Sequence, residues 1–396
     1  MMTTADQAMA TSAPLAGTLD SVPSAVRTGS RLLETQHVRL KRGGLRVRYA
    51  ELGDPEKATV LLLHGVPENL QAWYAVAPLL AEVYHVVALD WPGFGGSDPF
   101  PSADDYTSSR FADVVVDFMD ALQIEKASLV ATDIGLLPSL LVGLEHPSRI
   151  SKLAVMDGIP FPRPQHSSWE LRSFGKKGSL VANALVRWFP GVSAKITHVK
   201  GFYRGHSIPA EVRREFSRDG SRKATQDAFL SYFQNFRVGQ EYFESRAAEL
   251  EIPTLVVWGK YDRFISSKLG EEIAETLSNA RLEIIDKAGH YVHMDKPEAL
   301  AHAVTNFLAD GPAPSLSVSD DAAPTTAKTV PKYKTALLIW LAVFPTVLLL
   351  TALMAYAEIE LPRVLSLLLV TAVAIPVVVY AVVPVLTRLT GSWLTR

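Results

Sequence analysis

The chain is predicted to be an α/β protein: a mostly parallel sheet covered by helices on both faces, interrupted by a helical insertion and followed by an apolar helical hairpin. Three observations predict it. Short aliphatic and β-branched runs alternate with helical patterns across residues 36–310. The alternation lapses over residues 161–250, where Trp, Phe, Tyr and Arg are dense. Two stretches without a charged side chain, residues 335–357 and 364–387, come near the C-terminus.

In chain order, residues 1–35 are rich in Ala, Thr and Ser and hold no apolar run long enough for a signal peptide, so they read as a mobile tail. "HVRLKRGGLRVRYAEL" reads as a β-hairpin. "ATVLLLHG", "HVVALDWPG", "ASLVATD" and "ISKLAVMDG" read as short buried strands, continuous rather than alternating in polarity because a parallel sheet is covered on both faces. After the insertion the pattern resumes at "IPTLVVWGKYD" and "ARLEIIDKAGH" and closes with an amphipathic helix over residues 297–308. The expected organisation is a core of residues 36–160 and 251–310, a helical cap of residues 161–250, a flexible Pro-, Ala- and Ser-rich linker of residues 311–333, and a transmembrane hairpin of residues 334–388.

Each uncharged stretch is long enough to cross about 30 Å of hydrocarbon as a helix. Lys328, Lys332 and Lys334 precede the first and Arg388 and Arg396 follow the second. This bias places both ends, and the globular part, on the cytoplasmic side of the cell membrane. With 396 residues, 48% hydrophobic residues and a formal charge of −2, the chain can bury a large core and offers no field for a nucleic acid. The absence of cysteine excludes disulfides, thiolate metal sites and cysteine nucleophiles. No metal or cofactor is expected, and the chemistry falls to Ser, His, Asp, Glu, Tyr or Lys.

Four motifs stand in order: "LLLHGVPEN", "DWPGFGGSD", "ATDIG" and "KAGHYVHMDKPE". With them the chain resembles the α/β-hydrolase superfamily over roughly residues 36–310. They look like that family's oxyanion turn, the loop after the following strand, the nucleophile elbow and the catalytic-histidine loop. The elbow pattern of small residue, nucleophile and small residue is met by Ala131, Asp133 and Gly135. Aspartate at the apex resembles the branch of epoxide hydrolases and haloalkane or haloacetate dehalogenases. There the electrophile is a saturated carbon.

An aspartate, with a reference pKa of about 3.9, needs no base to become a nucleophile at neutral pH. It forms an alkyl ester with the substrate, which water deprotonated by a histidine then cleaves at the carboxyl carbon. The resemblance implies Asp133 as nucleophile, His290 as base and backbone N–H groups of Val66 and Ile134 as oxyanion donors. The acid that orients His290 is expected to be Asp262, with Asp157 as the alternative. His64 is expected to hold the oxyanion loop, Pro67 to follow a cis bond, and His64 and Trp91 to border the substrate.

Two departures bear on the reaction. Ile134 stands where alkane dehalogenases carry a tryptophan for the halide and where epoxide hydrolases commonly carry one as well, less directly tied to the leaving group; Ile134 and Leu137 stand where haloacetate dehalogenases carry arginines. Epoxide opening requires donors above the nucleophile, for which the cap offers Tyr203, Tyr232 and Tyr242. The expected function is a membrane-anchored epoxide hydrolase acting on a small lipophilic substrate. A dehalogenase and a non-catalytic ligand-binding protein are the alternatives left open.

Overall fold

The computed structural model describes residues 32–204, 206, 208–309, 340, 343–352, 370, 373, 374 and 378. Its internal contacts divide the chain into two units, Met1–Ala313 and Pro314–Arg396.

In the first unit the described residues form one eight-stranded sheet. Its strands are β1 (Gln36–Arg39), β2 (Arg46–Leu52), β3 (Thr59–Leu63), β4 (His85–Leu89), β5 (Ala127–Thr132), β6 (Ile150–Met156), β7 (Thr254–Gly259) and β8 (Ala280–Ile285). They lie in the order β1-β2-β4-β3-β5-β6-β7-β8; β1 and β2 run antiparallel to their neighbours and all other pairs are parallel.

The helices of the core are α1 (Val76–Ala81), α2 (Ser108–Ala121) and α3 (Leu136–Glu145). The cap inserted between β6 and β7 carries α4 (Trp169–Phe174), α5 (Leu180–Asn183), α6 (Pro190–Gly201), α7 (Ala210–Gly220) and α8 (Lys223–Arg246). The core closes with α9 (Ser267–Thr276), α10 (Val292–Asp295) and α11 (Pro297–Leu308).

The apolar strand runs are explained by two cores, one on each face. Leu61 and Leu63 of β3 pack in a cluster with Phe111 and Val115 of α2, Leu140 of α3 and Ile273 of α9. Val60 and Leu62 point the other way, into a cluster with Val76 and Leu80 of α1 and Leu300 and Val304 of α11. Each such aliphatic side chain taken out of water contributes about 1.5–3 kcal/mol, so a polar residue on either face of the central strands is costly.

Register brings the ends of these strands level. Leu63 pairs with both Leu89 and Ala131, Thr132 with Met156, Met156 with Val257, and Gly259 with Ile285. The residues that follow β3, β5, β6, β7 and β8 therefore leave the sheet along one carboxyl edge, where open α/β sheets place their ligand crevice. The cap covers this edge and is tied to the core by buried polar contacts. Arg48 of β2 donates to Asp90 and, at 2.9 Å, to Glu215 of α7; Asn69 donates to Asp219.

In the second unit, residues 343–352 are helical, and Thr351 Oγ1 donates to the Val347 carbonyl at 3.0 Å. Among the described residues no helix is long and apolar enough to cross a membrane. The expected spans, residues 335–357 and 364–387, lie for the most part outside the described residues, as do residues 1–31 of the tail and the linker.

Candidate active site

β5 delivers its chain directly into the turn that starts α3, and Asp133 sits at that corner with φ 51°. Side chains with a branched Cβ are disfavoured there, whereas Asp is among the non-glycine residues that visit it most readily. The corner is crowded. A Cβ on Gly65 would lie 2.7 Å from the Asp133 Cβ, and one on Gly158 would lie 2.5 Å from the Asp133 carbonyl oxygen. The Asp133 carboxylate does not cap α3, which carries no side-chain cap. It turns instead to the loop after β3, where its Oδ1 accepts the Val66 N–H at 2.9 Å. The Val66–Pro67 bond of that loop is cis.

His290 reaches the same point from the loop after β8. Its backbone N–H donates to the Gly201 carbonyl at 2.7 Å, which fixes the loop against the cap. Its Nε2 lies 3.6 Å from Asp133 Oδ2, and its Nδ1 lies 2.9 Å from Asp262 Oδ2. The second oxygen of Asp262 accepts the N–H groups of Phe264 and Ile265 at 2.7 and 3.0 Å, so both oxygens of this acid are engaged. Burial alone pushes the His290 imidazole down, but the Asp262 charge and hydrogen bond, with the Asp133 carboxylate beside Nε2, outweigh it and hold His290 well above the ordinary histidine range.

Asp157, the other acid considered from the sequence, follows β6 in the same left-handed conformation, with φ 51°. It is fully buried; its Oδ1 accepts only a long 3.3 Å bond from the Gly259 N–H, and its Oδ2 has no hydrogen-bond partner. Burial, together with the nearby Asp262 charge, raises its pKa well above the usual carboxylate range. Of the two acids, Asp262 is the one that touches His290.

Ile134 is buried, and its carbonyl accepts the Tyr232 hydroxyl at 3.0 Å. His64 and Trp91 do not border the cavity described below, contrary to expectation. His64 Nδ1–H donates to the Gly65 carbonyl at 2.6 Å, and its Nε2 accepts the Trp91 N–H at 3.1 Å, which fixes one neutral tautomer. Trp91 gives its ring N–H to the His64 carbonyl and stacks on Phe111. The pair holds the oxyanion loop from behind.

The three cap tyrosines also miss the cavity. Tyr232 is buried beneath the elbow between Ile134 and Ser108; Tyr242 lies on the surface, its hydroxyl bound by Arg246; Tyr203 packs on Tyr261. For the two on α8 helical phase decides this, turning Tyr232 toward the core and Tyr242 toward water; Tyr203 lies in the loop after α6.

What does face Asp133 and His290 is a cavity of about 600 Å³. Its walls are mostly apolar: Val66 and Pro67 from the oxyanion loop, Phe174, Leu185, Val186, Phe229 and Phe233 from the cap, and Phe264, Tyr291 and Met294 from the core. Polar groups at the wall include Glu68, His198 and Gln226, with Lys195, Arg213 and Arg214 toward the exposed side. Glu68 is buried 3.3 Å from His293, and Tyr291 is raised in pKa by burial and by the charges of Glu68, Asp133 and Asp262. Sequence reasoning passed over Tyr291 and Glu68 although both sit inside the quoted motifs, one beside His290 and one beside Pro67. The cap residues carried no comparable local signal. Among the described residues no group of His, Asp and Glu side chains is arranged to hold a metal ion.

This geometry can be set beside known proteins. The model of the alpha/beta hydrolase fold family matches residues 58–297, and that of the Y2318 C-terminal domain matches residues 329–394. Epoxide hydrolase 3 of Xenopus tropicalis is 26% identical over 288 residues, which cover 69% of this chain and 77% of that protein. Epoxide hydrolase 4 of Homo sapiens is 28% identical over 292 residues, covering 69% and 78%. The crystal structure of haloalkane dehalogenase DbeA from Bradyrhizobium elkani, 23% identical, superposes with a TM-score of 0.60 over 68% of this chain and 96% of that one, a likeness of fold.

Proposed function

The chain belongs to the alpha/beta hydrolase fold family and is a hydrolytic enzyme, and we propose that it opens lipophilic epoxides through an alkyl ester on Asp133. The observation that carries this reading is the Asp133 carboxylate itself. One oxygen is held by the Val66 N–H, the other points toward His290, and both meet a mostly apolar cavity.

Asp133 Oδ2 attacks a ring carbon, the carbon–oxygen bond of the epoxide breaks, and the freed oxygen takes a proton. Tyr291 is the proposed donor, because it lines the cavity beside His290 and a phenol is protonated at neutral pH. In the second step His290 takes a proton from water, and the hydroxide adds to the carboxyl carbon of the ester. The oxyanion rests on the Val66 N–H, a donor whose loss typically costs about 3 kcal/mol of barrier. Collapse releases a diol and restores Asp133.

The charge balance orders these steps. In the free enzyme His290 sits between two carboxylates and favours its protonated form. Esterification removes the Asp133 charge, so the imidazole pKa falls; His290 passes its proton to the Tyr291 phenolate left by the first step, whose ring lies 5.2 Å away, and becomes the base that takes a proton from water. Asp262, through its bond to Nδ1, fixes the ring so that Nε2 faces the ester.

Single-turnover reaction of styrene oxide in heavy-oxygen water tests the nucleophile. The first diol should carry ordinary oxygen taken from Asp133, and the heavy atom should appear in the Asp133 peptide. Label in the first diol would reject the ester. A dehalogenase reading draws on one observation, that Tyr203, Tyr232 and Tyr242 do not line the cavity, since a halide leaves without a proton. Halide release from a bromoalkane, with no turnover of epoxides, would favour it.

The membrane assignment is part of the same proposal. Residues 335–357 and 364–387 have no charged side chain, and the flanking Lys328, Lys332, Lys334, Arg388 and Arg396 support a hairpin with the hydrolase unit in the cytoplasm. The full chain should stay with membranes through alkaline carbonate washing; release into the wash would contradict anchoring.

A further inference from the structure

The cap exposes a stretch that the reaction does not use. Over residues 180–189, Leu180 is 74% exposed, Val181 44%, Trp188 60% and Phe189 58%. Large apolar side chains this open, four within ten residues, are unusual on a soluble surface and mark a contact site. Cations flank them: Lys176 and Lys177 come just before and Lys195 just after, and all three are exposed.

The stretch leads straight to the cavity. Pro190, Gly191, Ala194 and Lys195, which continue it, line the space in front of Asp133 and His290, as do the exposed Arg213 and Arg214 of α7. None of the five cations takes part in an ion pair among the described residues, whereas their neighbours Arg187 and Lys200 are paired with Asp227 and Glu170.

We propose that this rim, Leu180, Val181, Trp188 and Phe189 with Lys176, Lys177 and Lys195, docks on an anionic lipid surface and opens the cavity toward the acyl region. Its use for delivering substrate rests on the reading of a lipophilic substrate above; the docking itself does not.

Chemistry selects lipid over the other occupants. An indole and a phenyl ring beside lysines match a layer that is apolar at depth and negative at its face. Each basic side chain near such a surface strengthens its attraction severalfold. A second copy of the chain meeting the patch across a two-fold axis would set the same lysines against each other.

The lack of cysteine permits a clean test on the full chain. Val181→Cys carries an environment-sensitive fluorophore; Glu56→Cys, in the exposed loop before β3 at the opposite edge of the sheet, is the reference. The proteins are reconstituted into vesicles of phosphatidylcholine alone or mixed with phosphatidylglycerol. The Val181 probe should shift to the blue and brighten severalfold with phosphatidylglycerol, less without it, while the Glu56 probe stays unchanged. Lys176→Glu, Lys177→Glu and Lys195→Glu together should cut the phosphatidylglycerol increment by about tenfold or more.

No shift in either vesicle overturns the proposal. So does the same shift in a lipid-free amphipathic polymer, which would assign the patch to a second copy if it depended on protein concentration and to the C-terminal segment if it did not. The probe reports no turnover, so failure of the epoxide reading leaves this result intact, and the reverse also holds.

Discussion

The ends of β6 and β7 are neighbours that send an aspartate toward the same imidazole, and they reach opposite outcomes. After β7, Asp262 receives His290 Nδ1 and two backbone N–H groups. After β6, Asp157 receives one long backbone bond and leaves an oxygen bare in the interior. Both carboxyl groups are covered from solvent, so burial does not separate them. The number of donors does: a carboxylate supplied with three can stay charged and orient a histidine, whereas one supplied with a single weak donor keeps its proton. The difference lies in the loops, since the Asp262 loop turns back to present the amides of Phe264 and Ile265, while Asp157 stops at a tight left-handed corner.

The largest expected consequence is on turnover. Asp262→Asn should lower the hydrolytic rate on the order of 10³–10⁴-fold by misorienting His290, while ester formation survives. Asp157→Asn, which copies the protonated acid, should leave turnover within a factor of a few. Equal losses in steady-state assays would erase the distinction.

A second expectation concerns the imidazole. The Asp262 charge is the largest force raising His290, followed by the nearby Asp133 carboxylate. In a titration followed by NMR, Asp262→Asn should lower the His290 midpoint most, Asp133→Asn less, and Asp157→Asn least. A larger drop for Asp157→Asn than for Asp262→Asn would reverse the assignment of the acid.

The smallest effect is on stability. The Asp157 pKa is higher in the folded chain than in the unfolded one, so the unfolded state loses its proton first as pH rises. The stability this group contributes is therefore complete below the unfolded value of about 4 and is lost as pH rises toward the folded value. Raised His290 acts in the same direction: its contribution is full below about 6.5 and lost as pH climbs through its folded value. Thermal midpoints measured from acid to neutral pH should fall less steeply in Asp157→Asn than in the native chain. An identical slope would mean that Asp157 is not protonated in the fold.

How far these features were legible depends on the range of the forces behind them. The strand order of motifs, the Asp133 corner and the His290 loop are local: a turn needing small neighbours at Ala131 and Gly135 leaves its mark within five residues. The choice between Asp262 and Asp157 was not local, because it depends on which loop folds back to supply amides. The cap tyrosines failed for the same reason. A tyrosine in "LSYFQNF" reveals that it is on a helix, but only the docking of α8 on the core sends Tyr232 to Ile134 and away from the cavity. Tyr291 and Glu68 were within reach, since each adjoins a residue already singled out.

The central claim is that Asp133 forms a bond to substrate that His290 must help to break. His290→Gln, mixed with styrene oxide and examined by intact-protein mass, tests it most directly. The account expects the protein to gain the mass of the epoxide, mapped to Asp133, and to hold it while product release stalls. An unmodified protein, in a preparation whose native form consumes the same epoxide, would contradict it.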